Sequence, residues 1–277
     1  MKKSIIEDIL KKDKETRPYY SSESAVIFNR DCLEVLSKTR ESSVDMIFAD
    51  PPYMLSNNGF TCKNGRMVNV NKGKWDKSKG FENDTNFHNE WISACRRVLK
   101  PSGTIWISGT YHSIYQCGYL LQKNGFHLLN DIAWFKPNAS PNLSCRFFTA
   151  SHETLLWARK DIKAKHIFNY NEMKNGDFPE DRIKKENTQM RSVWSIPVPK
   201  STEKNFGRHP TQKPLDLMVR IIKASTNKGG IILDPFNGSG TTGVAALIVG
   251  NRFYIGSEIE IEYCELTVKR LKYSGFY

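Results

Sequence analysis

The segment from 231 to 243 reads Ile231-Ile232-Leu233-Asp234-Pro235-Phe236-Asn237-Gly238-Ser239-Gly240-Thr241-Thr242-Gly243. Its aliphatic start predicts a short buried strand, and its glycines predict a tight turn that opens a helix over 241–249. A buried strand, a glycine-rich turn and a helix in this order are typical of α/β sheets, whose ligands bind beyond the carboxyl ends of the strands. We therefore expect Asp234 to lie at a ligand-binding crevice.

A second acidic strand end lies far upstream. The apolar run Val44-Asp45-Met46-Ile47-Phe48-Ala49 predicts another buried strand, and Asp50-Pro51-Pro52-Tyr53 follows it directly. The two prolines restrict the backbone at this strand end and hold the neighbouring groups in place. Since ligands of open α/β sheets bind at the carboxyl ends of the strands, we expect Asp50 and Asp234 to share one crevice.

Strands and helices alternate along most of the chain. Besides the two strands above, the hydrophobic pattern predicts strands over 25–28, 104–108, 128–135, 154–158 and 252–257, and helices over 32–37, 87–99, 113–123, 215–225, 241–249 and 261–271. This alternation predicts an α/β fold with a doubly wound, mostly parallel sheet that carries helices on both faces. We expect an N-terminal arm over 1–24 and one domain over 25–277, with a polar insertion over 161–208.

Composition limits the class of binding partner and the cellular compartment that we expect. The 277 residues include 41 Lys and Arg against 29 Asp and Glu, which gives a net charge of +12. A basic chain favours a polyanion such as nucleic acid, because each neutralised phosphate releases counterions. The six cysteines form no C-x-x-C pair, and we find neither a signal peptide nor an apolar run of membrane-spanning length. We expect a cytoplasmic protein with reduced thiols, no metal site and no membrane contact.

The glycine loop also restricts the cofactor. The loop over 238–243 satisfies the G-x-G-x-x-G pattern of dinucleotide sites, and Glu258 ends the next strand near the expected spacing. However, Asp234 at the mouth of the loop would repel the two negative charges of a pyrophosphate, whereas the ammonium and sulfonium groups of S-adenosylmethionine attract a carboxylate. Glu258 is placed to accept hydrogen bonds from ribose hydroxyls. Val244-Ala245 excludes a phosphate-binding P-loop, which needs lysine and a hydroxyl there.

Together these motifs resemble the β-group of S-adenosylmethionine-dependent DNA amino-methyltransferases, in which the catalytic motif precedes the cofactor motif along a circularly rearranged sheet. The resemblance implies that the cofactor is held by separate segments of the chain. They are Asp31 and Cys32 near its adenine, His209, Thr211, Gln212, Lys213 and Pro214 over its methionine end, Asp234, Pro235, Phe236, Gly238, Ser239, Gly240, Thr241 and Thr242 in the glycine loop, and Glu258 at its ribose.

The same resemblance makes Asp50, Pro51, Pro52 and Tyr53 the catalytic motif. An exocyclic base amine is a poor nucleophile because its lone pair is delocalised into the ring. The Asp50 carboxylate, helped by the Pro51 carbonyl, can accept the amine hydrogens and favour a pyramidal nitrogen whose lone pair is free. The base must first leave the duplex, and Tyr53 can stack against the extruded ring.

Two basic segments are expected to contact DNA, although each could also be a solvated surface. The loop over 54–80 suits backbone phosphates because its charge is strongly one-sided. Its candidate residues are Lys63, Arg66, Lys72, Lys74, Lys77 and Lys79. The insertion over 161–208 occupies the place of the family's target-recognition region and offers Arg191 and Arg208, while Arg146 precedes it as a further candidate.

The first residue of the tetrapeptide bears on the substrate. In the resembling family Asp at this position goes mainly with adenine N6, and cytosine N4 is the alternative. The stretches 50–56, 72–76 and 141–146 further resemble adenine methylases of GATC-specific restriction-modification systems, which implies a cognate endonuclease and a homodimer as partners. From other classes, an NAD-dependent oxidoreductase would bind a dinucleotide, and an inactive DNA-binding protein would incorporate no methyl group.

Overall fold

The computed structural model describes residues 17–54, 60–63, 66–69, 73–181 and 183–276. In chain order the strands are β1 (Tyr20–Ser21), β2 (Ala25–Asn29), β3 (Val44–Ala49), β4 (Phe60–Lys63), β5 (Arg66–Asn69), β6 (Leu99–Gly109), β7 (His127–Phe135), β8 (His152–Arg159), β9 (Val193–Ser195), β10 (Ile231–Asp234) and β11 (Phe253–Glu258). The helices are α1 (Cys32–Lys38), α2 (Phe81–Val98), α3 (Ile114–Lys123), α4 (Tyr170–Asn175), α5 (Leu215–Ser225), α6 (Thr241–Val249) and α7 (Ile261–Lys272). Within these described ranges, no helix is long and apolar enough to cross a lipid bilayer.

One sheet contains nine of the described strands, in the order β1-β2-β11-β10-β3-β6-β8-β7-β9, while β4 and β5 form a separate hairpin. The strands β2, β11, β10, β3 and β6 are all parallel. Strand β8 is antiparallel to both of its neighbours, and β7 pairs in parallel with β9. The mostly parallel α/β sheet predicted from the sequence is therefore confirmed.

The connections that follow two adjacent strands, β3 and β10, run to opposite sides of the pair. From β3 it continues through α2 to β6 on one side, and from β10 it continues through α6 to β11 on the other. Ile232 pairs with Met46 and Leu233 with Ile47, so the two strands end at nearly the same level. A crevice opens where two such connections diverge. Asp50 and Asp234 are therefore delivered to the same edge of the sheet.

Helices cover both faces of the sheet. Val26 and Phe28 of β2 point to the face that packs against α1, α2 and α3, whereas Ala25 and Ile27 point to the face that packs against α5 and α6. Burying one large apolar side chain contributes about 1.5–3 kcal/mol, so these two apolar layers dominate the stability of the domain. Because packing holds the central strands from both sides, the strand ends that form the crevice are held firmly.

Helix α2 begins at Phe81, six residues before the periodic pattern predicts a helix. The Asp84 carboxylate accepts hydrogen bonds from the Lys79 amide at 2.9 Å and from the Ser78 hydroxyl at 2.6 Å, and it thereby stabilises the first turn. An acid is also favourable near the positive end of the helix dipole. The first turn is polar, so apolar spacing alone could not place its start.

Among the described residues, five short strands and α-helices lie in segments where the sequence predicts no regular structure, and two of them, β4 and β5, form the hairpin within the predicted loop over 54–80. Strand β1 falls within the predicted arm, whose residues 1–16 lie outside the described residues, and it pairs antiparallel with β2. Helix α4 and strand β9 fall within the predicted insertion, and β9 extends the sheet beside β7. An ion pair between Arg220 and Asp181 at 2.6 Å, with both side chains 2% exposed, fastens the insertion to α5.

Candidate active site

One cavity opens at the carboxyl ends of β3, β10 and β11. Its walls include Asp50, Asp234 and Glu258, which follow or end these three strands. All residues predicted to bind the cofactor line this cavity except Pro214 and Gly240. Of the predicted catalytic residues, Asp50 and Pro52 line the cavity, Tyr53 lines an adjoining cavity, and Pro51 is buried beside them.

Asp234 is a buried carboxylate whose two oxygens accept hydrogen bonds from the glycine loop. Oδ1 accepts from the Phe236 amide at 3.0 Å, and Oδ2 accepts from the Thr242 hydroxyl at 2.6 Å. Burial raises the pKa of Asp234 to about 7; the two hydrogen bonds oppose this shift, and the charges of Asp50 and Glu258 add to it. No basic side chain in the described part of the chain forms an ion pair with Asp234. A cationic ligand group would therefore be bound favourably here.

Glu258 is fixed by two backbone amides. Its Oε2 accepts from the Gly238 amide at 2.7 Å, and its Oε1 accepts from the Glu260 amide at 2.9 Å. Burial raises the pKa of Glu258, while these amides lower it. Each carboxylate oxygen has a second lone pair, so Glu258 can still accept hydrogen bonds from the two hydroxyls of a ribose.

The glycine loop is supported by buried side chains behind it. Gly240 has φ +73°, and a Cβ atom there would lie 2.5 Å from Thr267 Cγ2. Arg270 of α7 donates to the Ser239 carbonyl at 2.8 Å and to the Thr241 hydroxyl at 2.8 Å. These contacts hold the N-terminus of α6 at the cavity, where exposed amides and the helix dipole favour a carboxylate.

His209, Thr211, Gln212 and Lys213 form a further part of the cavity wall. The His209 ring stacks on Trp75 with 6.2 Å between ring centroids, and it meets Tyr263 edge-on at 4.2 Å. Gln212 is 7% exposed, and its Oε1 has no hydrogen-bond partner among the described residues. A buried acceptor without a partner costs free energy, so Gln212 is available to an N–H group of a ligand.

Both oxygens of Asp50 accept hydrogen bonds from side chains. The Tyr53 hydroxyl donates to Oδ1 at 2.6 Å, and the Lys213 ammonium donates to Oδ2 at 2.6 Å. Lys213 also donates to the Tyr53 oxygen at 2.9 Å. Burial raises the pKa of Asp50, and Lys213 opposes this shift. Burial alone would lower the pKa of Lys213, but Asp50 and Glu153 raise it overall, so Lys213 stays charged.

A second buried carboxylate, Glu153, extends this network, and sequence reasoning missed it. Its Oε2 accepts a hydrogen bond from the Ser108 hydroxyl at 3.2 Å and lies 3.1 Å from the Tyr53 hydroxyl, whose one proton can be donated either to this oxygen or to Asp50. Lys213 lies 3.4 Å from the same oxygen. Its Oε1 pairs with Lys136. Burial alone would raise the pKa of Glu153, but the two ammoniums lower it to about 2. A lone acid at the start of the apolar strand β8 was the signal that could have found it.

Strand directions explain why these residues meet. Ser108 lies near the end of β6 and Lys136 directly follows β7, while Glu153 lies at the start of β8, which runs the opposite way. All three therefore reach the edge of the sheet that carries Asp50. Tyr53, Lys136 and Glu153 line the adjoining cavity, and residues 209–213 border both cavities.

The first cavity has the groups that S-adenosylmethionine requires. Asp234 and Gln212 offer acceptors for its cationic and N–H groups, Glu258 offers acceptors for its ribose, and the glycine loop offers amides for its carboxylate. A pyrophosphate would instead meet four carboxylates, because Asp31 and Asp50 line the same cavity as Asp234 and Glu258. In the described ranges of the chain, no group of three or more His, Cys, Asp or Glu side chains could hold a metal ion.

The predicted DNA contacts whose side chains the structure describes line neither cavity. Those with described side chains are all exposed, and they are Lys77, Lys79, Arg146, Arg191 and Arg208. Lys72 lies outside the described residues, as do the side chains of Lys63, Arg66 and Lys74. The backbones of Lys63 and Arg66 pair across the β4–β5 hairpin, which follows the catalytic tetrapeptide in the chain. The role of these residues in DNA binding stays a prediction.

Comparison with known proteins gives consistent matches over most of the chain. The sequence model of the N6_N4_Mtase family, described as DNA methylase, matches residues 44–269. The Type II methyltransferase M2.DpnII of Streptococcus pneumoniae is 50% identical over 258 residues, which cover 93% of either chain. The Type II methyltransferase M2.MboI of Moraxella bovis is 48% identical over 258 residues, which cover 92% of this chain and 90% of the relative.

Solved structures match the fold. The M1.HpyAVI–SAM complex is 31% identical with a TM-score of 0.64, and the match covers 89% of this chain and 98% of that one. The PvuII DNA methyltransferase, which is cytosine-N4-specific, has a TM-score of 0.68 over 92% of this chain and 89% of its own. Its identity is 18%, so this second match shows a shared fold alone.

Proposed function

The chain belongs to the DNA methylase family, and we propose that it transfers a methyl group from S-adenosylmethionine to the N6 amine of an adenine in DNA. The family match confirms the resemblance drawn from the sequence motifs. The observation that carries the proposal is that Asp50 and Asp234 line one cavity at the switch point of the sheet. One carboxylate is suited to a base amine, and the other is suited to a cationic cofactor.

The cofactor is assigned to the first cavity. When bound, S-adenosylmethionine supplies a methyl group activated by its sulfonium. Asp234 and Gln212 bind the positive methionine end, and the amides of the glycine loop bind the methionine carboxylate. Glu258 binds the ribose hydroxyls, while Asp31 and Cys32 border the adenine.

The chemistry of transfer is assigned to Asp50. Its carboxylate accepts hydrogen bonds from the base amine, which draws the nitrogen lone pair out of conjugation with the ring and toward the methyl group. The Pro51 carbonyl is a second acceptor, and the two prolines hold both acceptors in place. No covalent bond to the protein is needed.

The extruded base is assigned to the second cavity. Tyr53 lines it and is 5% exposed, so its ring is held firmly, and the Lys213 ammonium lies over the ring at 5.3 Å from the centroid. Stacking a base on an aromatic ring contributes about 1–3 kcal/mol, which offsets much of the cost of taking the base out of the duplex. Lys213 borders both cavities, so the base and the cofactor meet beside Asp50.

DNA binding is assigned to the basic loop over 54–80 and to the insertion over 161–208. The exposed Lys77 and Lys79 support the first assignment, because exposed lysines suit backbone phosphates. Relatives named Type II methyltransferases support a place in a restriction-modification system, with an endonuclease that acts on the same sequence. We propose a homodimer that works in the cytoplasm, where DNA and S-adenosylmethionine are both present.

Methylation with labelled cofactor tests this function. Unmethylated plasmid DNA is incubated with the full chain and labelled S-adenosylmethionine, then digested, and its nucleosides are identified by mass spectrometry. We expect label in N6-methyladenine, and oligonucleotides with and without GATC sites then test the recognition sequence. Label in N4-methylcytosine would establish the alternative, which the relatives do not favour, and unlabelled DNA would contradict the proposed function.

A further inference from the structure

Four charged side chains that are largely buried surround the site proposed for methyl transfer, and their charges sum to zero. Asp50 and Glu153 are the acids, and Lys213 and Lys136 are the bases. Lys213 lies between the two acids, 2.6 Å from Asp50 Oδ2 and 3.4 Å from Glu153 Oε2, and its side chain is 6% exposed. The ammonium is thus bound to one carboxylate with a second within reach.

This arrangement limits how Asp50 can bind an amine. Each Asp50 oxygen keeps a second lone pair, but the Lys213 ammonium at one oxygen neutralises the charge that would draw on the amine hydrogens, and the Tyr53 hydroxyl donates to the other oxygen. Asp50 acts on a base amine most strongly when its negative charge is available to that amine. Lys213 must therefore withdraw from Asp50 as the amine arrives, and a buried ammonium is costly to leave without a carboxylate.

We propose that Glu153 is a positioning residue, which receives the Lys213 ammonium when the base amine displaces it from Asp50. The inference rests on the proposed function and deepens the role of the same site. The hydrogen bond between Lys213 and Asp50 breaks, a hydrogen bond from the base amine to Asp50 replaces it, and the existing 3.4 Å ion pair between Lys213 and Glu153 shortens. No proton is transferred. Tyr53 contacts all three groups, so its hydroxyl remains hydrogen-bonded throughout the exchange.

Lys136 keeps Glu153 ready for this exchange. It pairs with Glu153 Oε1 and leaves Oε2 facing Lys213, Tyr53 and Ser108. Both ammoniums hold the pKa of Glu153 below its ordinary value, against the effect of burial, so the carboxylate is charged at neutral pH. Glu153 lines the second cavity and is absent from the walls of the first, so its replacement should leave cofactor binding unchanged.

Single-turnover methylation with saturating cofactor tests the exchange. The variant Glu153→Gln keeps the size and hydrogen-bonding capacity of the side chain but cannot hold an ammonium by charge. We expect its transfer rate to fall about tenfold or more, with a cofactor dissociation constant within about twofold of wild type. Glu153→Asp should recover part of the rate. Asp131→Asn, which neutralises an exposed acid on the neighbouring strand β7, is the matched control and should leave the rate unchanged.

A double variant distinguishes the proposed movement of Lys213 from a purely structural role of Glu153. In Lys213→Met no ammonium remains to be moved, so adding Glu153→Gln should cause little further loss. An equal loss in both backgrounds would overturn the exchange, and so would a wild-type rate in Glu153→Gln. Thermal unfolding confirms that each variant is folded. If the wild-type chain fails to methylate adenine, the proposed function fails and this inference fails with it, whereas the variant results overturn the inference alone.

Discussion

The Lys213 ammonium lies 2.6 Å from Asp50 Oδ2, although 163 positions separate the two residues in the chain. Lys213 belongs to the wall of the cofactor cavity, and Asp50 belongs to the catalytic tetrapeptide. Their side chains are 6% and 13% exposed, so salt screens this ion pair far less than it would screen a surface pair. The cofactor wall and the catalytic carboxylate are therefore joined by one strong contact.

Replacing Asp50 by Ala should abolish transfer and leave the cofactor bound. The cofactor contacts proposed for Asp234 and Glu258 come from other strands, and Lys213 retains Glu153 as a partner. We expect the transfer rate to fall by about 10³-fold or more, with the cofactor dissociation constant within about threefold of wild type. Calorimetric titration and methyl incorporation measure the two quantities. A parallel loss of cofactor binding would remove Asp50 from the catalytic role.

Asp234→Asn should stabilise the cofactor-free protein at high pH. Burial raises the pKa of Asp234 from 3.8 to about 7, so the folded state binds this proton more tightly than the unfolded state does. The stability from this group is therefore full below about pH 4 and is lost as pH rises toward 7. Asn carries no charge and avoids that loss. We expect the variant to melt above wild type at pH 8, by a margin that shrinks as pH falls and is lost near pH 4; a lower melting temperature at pH 8 would contradict the raised pKa.

The same substitution should weaken cofactor binding in a pH-dependent way. A cationic ligand binds the ionised carboxylate, so the affinity of the wild type should rise as pH increases through about 7. The Asn variant should bind about 10-fold to 100-fold more weakly at pH 8, which is the size of one charged hydrogen bond, and its affinity should vary less with pH. Titrations at pH 6, 7 and 8 compare the two proteins. Equal affinity at pH 8 would argue against a contact between Asp234 and the cofactor.

The sequence predicts the parts of the site that depend on local pattern. The strand predicted over 44–49 has the observed bounds of β3, and the strand predicted from the aliphatic start of the segment 231–243 is observed as β10, Ile231–Asp234. Both predictions rest on short apolar runs that are followed by an acid and a proline, and Asp45 is the one polar residue within these runs. Since parallel neighbours end at one edge, the meeting of Asp50 and Asp234 in one cavity follows from the motifs themselves.

The contacts of Lys213 and Glu153 could not be predicted in this way. Glu153 reaches the site only because β8 runs antiparallel between β6 and β7. No local sequence pattern predicts the order and direction of the strands at that edge. Lys213 lies within a segment matched to the cofactor, so its bond to Asp50 depends on tertiary structure. Strands as short as β1 and β9, with two and three residues, are too brief to show an alternating pattern.

Two glycines at the ends of α6 separate an effect on the loop from an effect on the helix. Gly240 has φ +73° and ψ 22°, a left-handed conformation, whereas Gly250 has φ +74° and ψ 157°, a conformation that is essentially restricted to glycine. A Cβ atom at Gly240 would also lie 2.5 Å from Thr267 Cγ2, whereas at Gly250 nothing lies within 4 Å. Both Ala variants should lower the free energy of unfolding, but only Gly240→Ala should also weaken cofactor binding. A cofactor dissociation constant that Gly240→Ala leaves unchanged in calorimetric titrations would contradict a role of this loop in binding.

Replacing two lysines near the site should weaken DNA binding and make the affinity less dependent on salt concentration. Lys77 and Lys79 are exposed and follow the β4–β5 hairpin. If each neutralises one phosphate, the double Ala variant should reduce the slope of log affinity against log salt by about 1.8. Lys123 and Lys228 are also exposed, but they end α3 and precede β10, at the opposite edge of the sheet.

The double Ala variant of Lys123 and Lys228 removes the same net charge, so it separates a local contact from the general attraction of a basic protein to DNA. Fluorescence anisotropy at several salt concentrations measures both slopes. We expect the Lys77 and Lys79 variant to lose slope and affinity on all DNA sequences alike, because phosphate contacts carry no base information. The control should keep the wild-type slope. If both variants lose equal slope, the loop makes no special contact and its lysines contribute only to the overall charge.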